Sequence, residues 1–174
     1  VVILLFLIVY VIKRWLLIIN EKIEVQADLY RKYEYNNDKR EKAIKELARV
    51  ARKGSAIIVS VDSLFSVMGR MVSDKKFKQL SRLLKTHIFV SSGGYPQYHF
   101  SAEELRELYS RNNISVDSII GKTVFTRFIP RDKIDELLAN KSFYKQILKL
   151  ELEFNSEPSV IGYAGHIEIA GIKK

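Results

Sequence analysis

The side chains able to do chemistry are few. The 174-residue chain has no Cys and three His, at positions 87, 99 and 166. Without Cys there is no disulfide framework, no thiolate zinc site and no Cys nucleophile. His87, His99 and His166 stand far apart, with no metal-ligand spacing, so no metal site and no catalytic residue is expected from them. His87 opens an apolar strand and reads as structural. The stronger signals are two polar strand ends. One apolar run closes on Asp62 and Ser63, and a second closes on Ser91, Ser92, Gly93 and Gly94, with Tyr95 directly after. Hydroxyls and glycine backbone suit a phosphate or ribose, which need short donors and close approach. A tyrosine beside them can stack on a base. In open α/β sheets ligands gather beyond the carboxyl ends of the strands. Asp62, Ser63, Ser91, Ser92, Gly93, Gly94 and Tyr95 are therefore the expected ligand crevice, although the same residues also suit polar turns with an aromatic ring packed beneath. No cofactor is expected. There is no Gly-x-Gly-x-x-Gly, and Gly121, Lys122 and Thr123 have the tail of a P-loop without its first glycine. Asp62 and Asp117 are the only well-placed strand-end acids, too few for a nuclease metal cluster.

The elements that must position these residues follow from hydrophobic period. Asn36, Asn37 and Asp38 make a break and an N-cap. Ile44, Leu47, Ala48 and Ala51 then give one helical face, predicting a helix over 38–53 that stops at Gly54. Residues 56–61 are an apolar strand of the kind covered on both faces. Leu64, Val67, Met68, Met71 and Val72 form a helical face, interrupted at Ser73 and Asp74 and resumed by Phe77, Leu80, Leu83 and Leu84. Residues 87–90 are a second strand. Ser101 and Glu104 form a capping box ahead of Leu105, Leu108 and Tyr109. Residues 114–116 and 124–129 are strand candidates, and Pro130 opens a helix carrying Ile134, Leu137 and Leu138. Leu148, Leu150, Leu152 and Phe154 alternate with charged residues, which predicts a half-buried strand. Residues 160–163 and 167–172 predict a closing hairpin around Ala164 and Gly165. This alternation of strand and helix predicts an α/β fold, a small Rossmann-like domain with a partly parallel sheet over 55–174. The competing arrangement is an α+β domain with a mostly antiparallel sheet.

Residues 1–12 are an unbroken apolar run, followed by Lys13, Arg14 and Trp15 and then Leu16, Leu17, Ile18 and Ile19. A basic pair beside a Trp fits a membrane interface, and the positive-inside rule places the chain beyond this pair in the cytoplasm. The expected organisation is a transmembrane helix over 1–19, continuing an apolar run that starts upstream, then a juxtamembrane helical stalk over 20–54, then the cytosolic domain. The localisation expected is the cell membrane, single-pass, with the C-terminal domain in the cytoplasm. The formal charge is +9. Much of the excess sits near the expected membrane segment and on 70–86, where Arg70, Lys75, Lys76, Lys78, Arg82 and Lys85 face only Asp74. Such a stretch suits anionic lipid, a polyanion such as a nucleotide, or plain solvation. No RRM, zinc-finger or helix-turn-helix signature points to nucleic acid.

The run Val59, Ser60, Val61, Asp62, Ser63, Leu64 after a membrane segment resembles a CRISPR-associated Rossmann-fold (CARF) domain carried on a single membrane-spanning helix. The resemblance implies a homodimer that binds a cyclic oligoadenylate across its two-fold axis and acts on the membrane without cutting nucleic acid. The expected function is then a non-enzymatic sensor. Its cytosolic domain binds a nucleotide-like anion and alters an oligomer of membrane helices. A membrane-tethered scaffold without a small ligand, and a membrane-tethered nuclease, are the alternatives.

Overall fold

The computed structural model describes residues 37–91 and 94–174. The expected membrane segment at 1–19 lies outside them, as do Ser92 and Gly93. Along the chain run α1 (Asn37–Val50), β1 (Ala56–Asp62), α2 (Met68–Ser73), α3 (Phe77–Thr86), β2 (Ile88–Val90), β3 (Pro96–Tyr98), α4 (Ala102–Arg111) and β4 (Ile114–Lys122). A 3-10 turn (Thr126–Phe128), α5 (Ile134–Ala139), α6 (Lys141–Phe154), α7 (Pro158–Ile161) and β5 (His166–Lys173) complete the order.

Helices and strands are mixed along the chain, as expected of an α/β fold. The sheet is not built as expected. Its order is β1-β5-β4, and both pairings are antiparallel. The last strand therefore lies between the other two, which run in the same direction but do not touch. The only parallel contact among the described residues is an isolated bridge from Ser63 to Phe100. β2 and β3 form a separate antiparallel pair. A partly parallel sheet is corrected to antiparallel ladders, as in the competing arrangement.

Register puts the core on one face. Ile57, Val59 and Val61 alternate with half-buried neighbours, and Val59 and Val61 lie opposite Ile169 and Ile167. Against them pack Ile44 and Ala48 of α1 and Leu105, Leu108 and Tyr109 of α4. Helix α1, placed in the expected stalk, is thus seated on the same core as β1. Tyr109 is wholly buried, and its hydroxyl donates to the carbonyls of Ile57 and Ile169 at 3.3 and 3.2 Å. Burial, and after it the Glu168 carboxylate, raise its pKa above the ordinary value, so it stays a donor. Gly171, opposite Ile57, makes room for this ring: a Cβ there would stand 3.0 Å from Tyr109 Cδ1 and 2.7 Å from the Ser115 carbonyl.

Three local expectations change. The alternating leucines at 148–154 are in α6, where Asn140 caps the first turn by accepting from the amides of Ser142 and Phe143. Their alternation marks no single buried face: Leu148, Leu150 and Leu152 are all exposed. The expected strand at 124–129 is a 3-10 turn because Glu151 accepts from the amides of Val124, Phe125 and Thr126 and from the Thr126 hydroxyl. Those amides are spent on a carboxylate, so no ladder forms. Residues 160–163 do not open a hairpin. Pro158 starts the short helix α7, Glu157 accepts from the Ser159 amide, and β5 pairs with β1 and β4 instead.

Gly171→Ala is expected to lower stability by about 1–3 kcal/mol, since a backbone carbonyl cannot yield to the added methyl. Gly69→Ala, whose Cβ meets nothing within 4 Å, is expected to be neutral or stabilising. Urea unfolding midpoints of the two variants check this.

Candidate functional site

β1 and β4 end on the same side of the sheet, and β5 begins there. Asp62 and Lys122 are both the register partners of His166. This edge holds the carboxyl ends of β1 and β4 on either side of the start of β5. His166 Nδ1 lies 3.1 Å from Asp62 Oδ1. The imidazole is about half exposed while the carboxylate is largely covered, at 48% and 15%. Nδ1 is thereby held and Nε2 is the ring nitrogen left to take a proton. Lys122 is neutralised by an ion pair with Glu168, so the adjacent strand end adds no open cation.

Behind this edge lies a second histidine. His99 is 3% exposed, and its Nδ1 sits 2.9 Å from the Ser63 carbonyl and 3.5 Å from Ser66 Oγ. A carbonyl oxygen only accepts, so Nδ1 carries the proton and Nε2 is a bare lone pair. That Nε2 is buried without a hydrogen-bond partner. Burial lowers the His99 pKa. The Ser63 carbonyl and the Asp62 charge oppose that shift, and His166 reinforces it. Phe89 packs edge-on against the ring at 5.6 Å between centroids.

The loop entering β5 is pinned from two sides. Ser63 Oγ donates to the Gly162 carbonyl, and the Ser63 amide donates to the Gly165 carbonyl at 3.3 Å. Arg127 Nη1 donates to the carbonyl of Tyr163 and, at 3.1 Å, to that of Ala164. Burial, and after it the charge of Arg70, lower the Arg127 pKa. Tyr163 lies against Phe65 at 6.0 Å between ring centroids.

The five described residues of the expected crevice are not brought together, and Ser92 and Gly93 lie outside the described residues. Asp62 stands at the edge that His166 shares. Ser63 is wholly buried, and its hydroxyl is committed to Gly162, so it is structural. Ser91, Gly94 and Tyr95 form the tip of the β2–β3 hairpin, where the Ser91 amide donates to Tyr95 O and the Gly94 amide to Ser91 O. The other end of that hairpin, beyond Tyr98, is the one that approaches β1: Phe100 N donates to Asp62 O and Leu64 N to Phe100 O. Tyr95 at the tip is 72% exposed and covers nothing. Asp117 lies mid-strand at the β4 bulge, not beside Asp62, and no group of three or more His, Asp or Glu able to hold a metal occurs among the described residues.

His166, His99 and Arg127 were not expected at this edge. Their one sequence signal was that His166 directly precedes an apolar alternation, which starts a strand with a titratable side chain. Which strand end it would face is a matter of register. His87, read as structural, proves so: its Nδ1 meets the Tyr98 hydroxyl at 3.0 Å and Glu104 at 3.2 Å, joining the hairpin to the start of α4.

No family model matches the chain, and no curated protein matches it. Among solved structures it is similar to a SAM-dependent methyltransferase from Methanosarcina mazei, at 14% identity and a TM-score of 0.47, covering 79% of this chain and 52% of that one. It is also similar to a SAM-dependent methyltransferase, possible histamine N-methyltransferase, from Thermotoga maritima, at 21% identity and a TM-score of 0.39, covering 77% and 48%. A third is phosphoethanolamine N-methyltransferase 2 of Haemonchus contortus in complex with S-adenosyl-L-methionine, at 12% identity and a TM-score of 0.34, covering 88% and 31%. The chain spans about half or less of the length of these proteins.

These findings correct the functional expectations. The three similar structures are named as methyltransferases and none as a membrane-anchored CARF sensor of cyclic oligoadenylate, so neither that sensor reading nor the leaning toward a non-enzyme is carried further. The tethered scaffold and the tethered nuclease gain no support, and the nuclease lacks its second carboxylate at the strand ends. No helix among the described residues is long and apolar enough to cross a membrane.

The buried neutral His99 ties stability to pH. Its folded pKa is below the unfolded value of 6.5, so the unfolded chain binds the extra proton first. The contribution is complete above that value and is lost as pH falls through the folded pKa. Melting temperature is expected to drop between about pH 7 and pH 5, and to drop less in His99→Gln. Parallel pH dependence in the two proteins counts against it.

Proposed function

We propose that this chain supplies the acid–base, acceptor-binding side of a group-transfer enzyme. The His166–Asp62 pair carries the reading: a half-exposed imidazole, oriented by a covered carboxylate, at the carboxyl edge of the sheet. This arrangement suits a general base. An acceptor N–H or O–H gives its proton to His166 Nε2 as its lone pair bonds to the incoming group. The bond from that group to its donor breaks, and the electron pair leaves with the donor. Asp62 holds the ring in orientation and stabilises the imidazolium that forms. The buried His99 supports the edge and stays neutral.

The similar structures are named as methyltransferases, and methyl transfer to an amine or hydroxyl releases one proton, the proton such a base takes up. It is the group transfer to test first. Two glycines at this edge leave no open space against which SAM could lie. At this edge Gly121 and Gly165 are already filled, since a Cβ on the first would meet Ala164 Cβ at 2.7 Å and on the second would overlap Thr123 Oγ1. The residues described account for the acceptor side alone.

The test is transfer of label from methyl-labelled SAM to a panel of small amines and alcohols. Transfer is expected to fall about 10²-fold or more in His166→Asn, within the range of general-base contributions. Asp62→Asn is expected to lower it too, with the His166 tautomer changed in nitrogen-15 NMR spectra. Transfer indifferent to His166→Asn, or no transfer to any acceptor, overturns the reading.

A further inference from the structure

The loop that enters β5 has most of its backbone already bonded. The carbonyls of Gly162, Tyr163, Ala164 and Gly165 are all taken. Ser63 Oγ donates to Gly162 O, Arg127 Nη1 to Tyr163 O and Ala164 O, and the Ser63 amide to Gly165 O. The amides of Tyr163 and Ala164 donate to Val160 O and Ile161 O at 2.9 and 3.2 Å. A molecule resting on this loop therefore finds little backbone left to bond. What the loop offers instead is a ring. Tyr163 is 51% exposed and meets the half-buried Phe65 at 6.0 Å between centroids. Gly162 lets Phe65 come close, since a Cβ there would stand 3.4 Å from Phe65 Cδ2.

Two backbone segments join this aromatic step to the acid–base pair. Asp62 and His166 are opposite each other at one end. Phe65 and Tyr163 meet at the other, three positions along each segment. Ser63 ties the two segments together between those ends. Three residues of chain reach at most about 11 Å, so the Cα atoms of Tyr163 and His166 lie within that distance. An aromatic ring on a short stem bridges such a gap.

We infer that the acceptor carries an aromatic ring that stacks on Tyr163, with a short stem ending in the amine or hydroxyl that gives its proton to His166. Paired rings attract beyond the area they bury, which favours an aromatic body over an aliphatic one of similar size. Assigning the ring to the acceptor rests on the group-transfer reading. The ring site itself rests on the bonded loop and the Tyr163–Phe65 contact.

Phenylethanol, cyclohexylethanol and ethanol, all uncharged, test this on the whole chain. Binding is followed by NMR titration, and label transfer from methyl-labelled SAM is measured with the same alcohols. Phenylethanol is expected to bind saturably with Kd about 10 mM or tighter, more tightly than cyclohexylethanol, and to move the His166 ring signals. Ethanol is expected not to saturate. Tyr163→Ala is expected to weaken phenylethanol about fivefold. The loop's hydrogen bonds come from the Tyr163 backbone and not its ring, so this variant is expected to fold. Tyr163→Phe, which keeps the ring, and Tyr144→Ala, at an exposed tyrosine of α6, are expected to bind as the wild type does. Tyr163-dependent binding without label transfer supports the ring site and overturns the group-transfer reading alone. Equal binding by wild type and Tyr163→Ala, cyclohexylethanol binding as tightly as phenylethanol, or His166 signals that stay in place at saturation overturns the inference, whether or not label is transferred.

Discussion

Strand β5 follows the other described strands in sequence and lies in the middle of its sheet. β1 and β4 touch only through it, so neither ladder exists until β5 has arrived. That gives the sheet its antiparallel pairing although β1 and β4 run the same way. It also makes the fold depend on contacts far apart in sequence, a feature that slows folding because loop closure comes before the gain in contacts. The close approach that allows it is local: Gly171 leaves the space that the Tyr109 ring fills, and the Tyr109 hydroxyl then reaches carbonyls of both β1 and β5. Helix α4 is thereby keyed to the strand pair.

The same insertion builds the candidate site. Because β5 enters where β1 ends, Asp62 and His166 become register partners although 104 positions separate them in the numbering. A carboxylate and an imidazole meet at an exposed edge with no loop needed to deliver either. The loop entering β5 is then held by Ser63 on one side and Arg127 on the other. Ser63, which looks in sequence like a ligand-facing hydroxyl, serves to hold the residues next to the site. Buried hydroxyls are satisfied by the nearest carbonyl, and that satisfaction removes them from ligand chemistry.

Glu151 does a comparable job at the other side of the insert. One carboxylate on α6 accepts from three consecutive amides and a hydroxyl, and so turns 124–128 into a 3-10 turn directly after β4. The turn places Arg127 against Tyr163 and Ala164. A helix that buries none of its leucines is thus tied to the domain through Glu151 as well as through Phe154 against Phe125, and the position of Arg127 depends on those contacts.

Local chemistry was readable without a fold. The start of α1 after Asn36, the capping of α4 by Ser101, the apolar strand β1 and the alternation of β5 all follow from side-chain period and backbone hydrogen bonding within a few residues. The mixed α/β class follows from their order. Period misled where the competing interaction came from elsewhere: alternating leucines in α6 and the run Val124, Phe125, Thr126 read as strands until an Asn cap and a distant carboxylate are added. Of the expected crevice, Ser91, Gly94 and Tyr95 stand apart from Asp62 for a topological reason. β2 pairs only with β3, so its end is a hairpin tip and not an edge of the main sheet. Sequence alone determined which segments are helix or strand wherever a turn of chain decides it, and that Asp62 closes a strand. Tertiary structure decided that His166 faces Asp62, that Ser63 is spent and that Arg127 holds the loop entering β5, because strand register and side-chain neighbours across the fold are set by packing between segments that no local period connects.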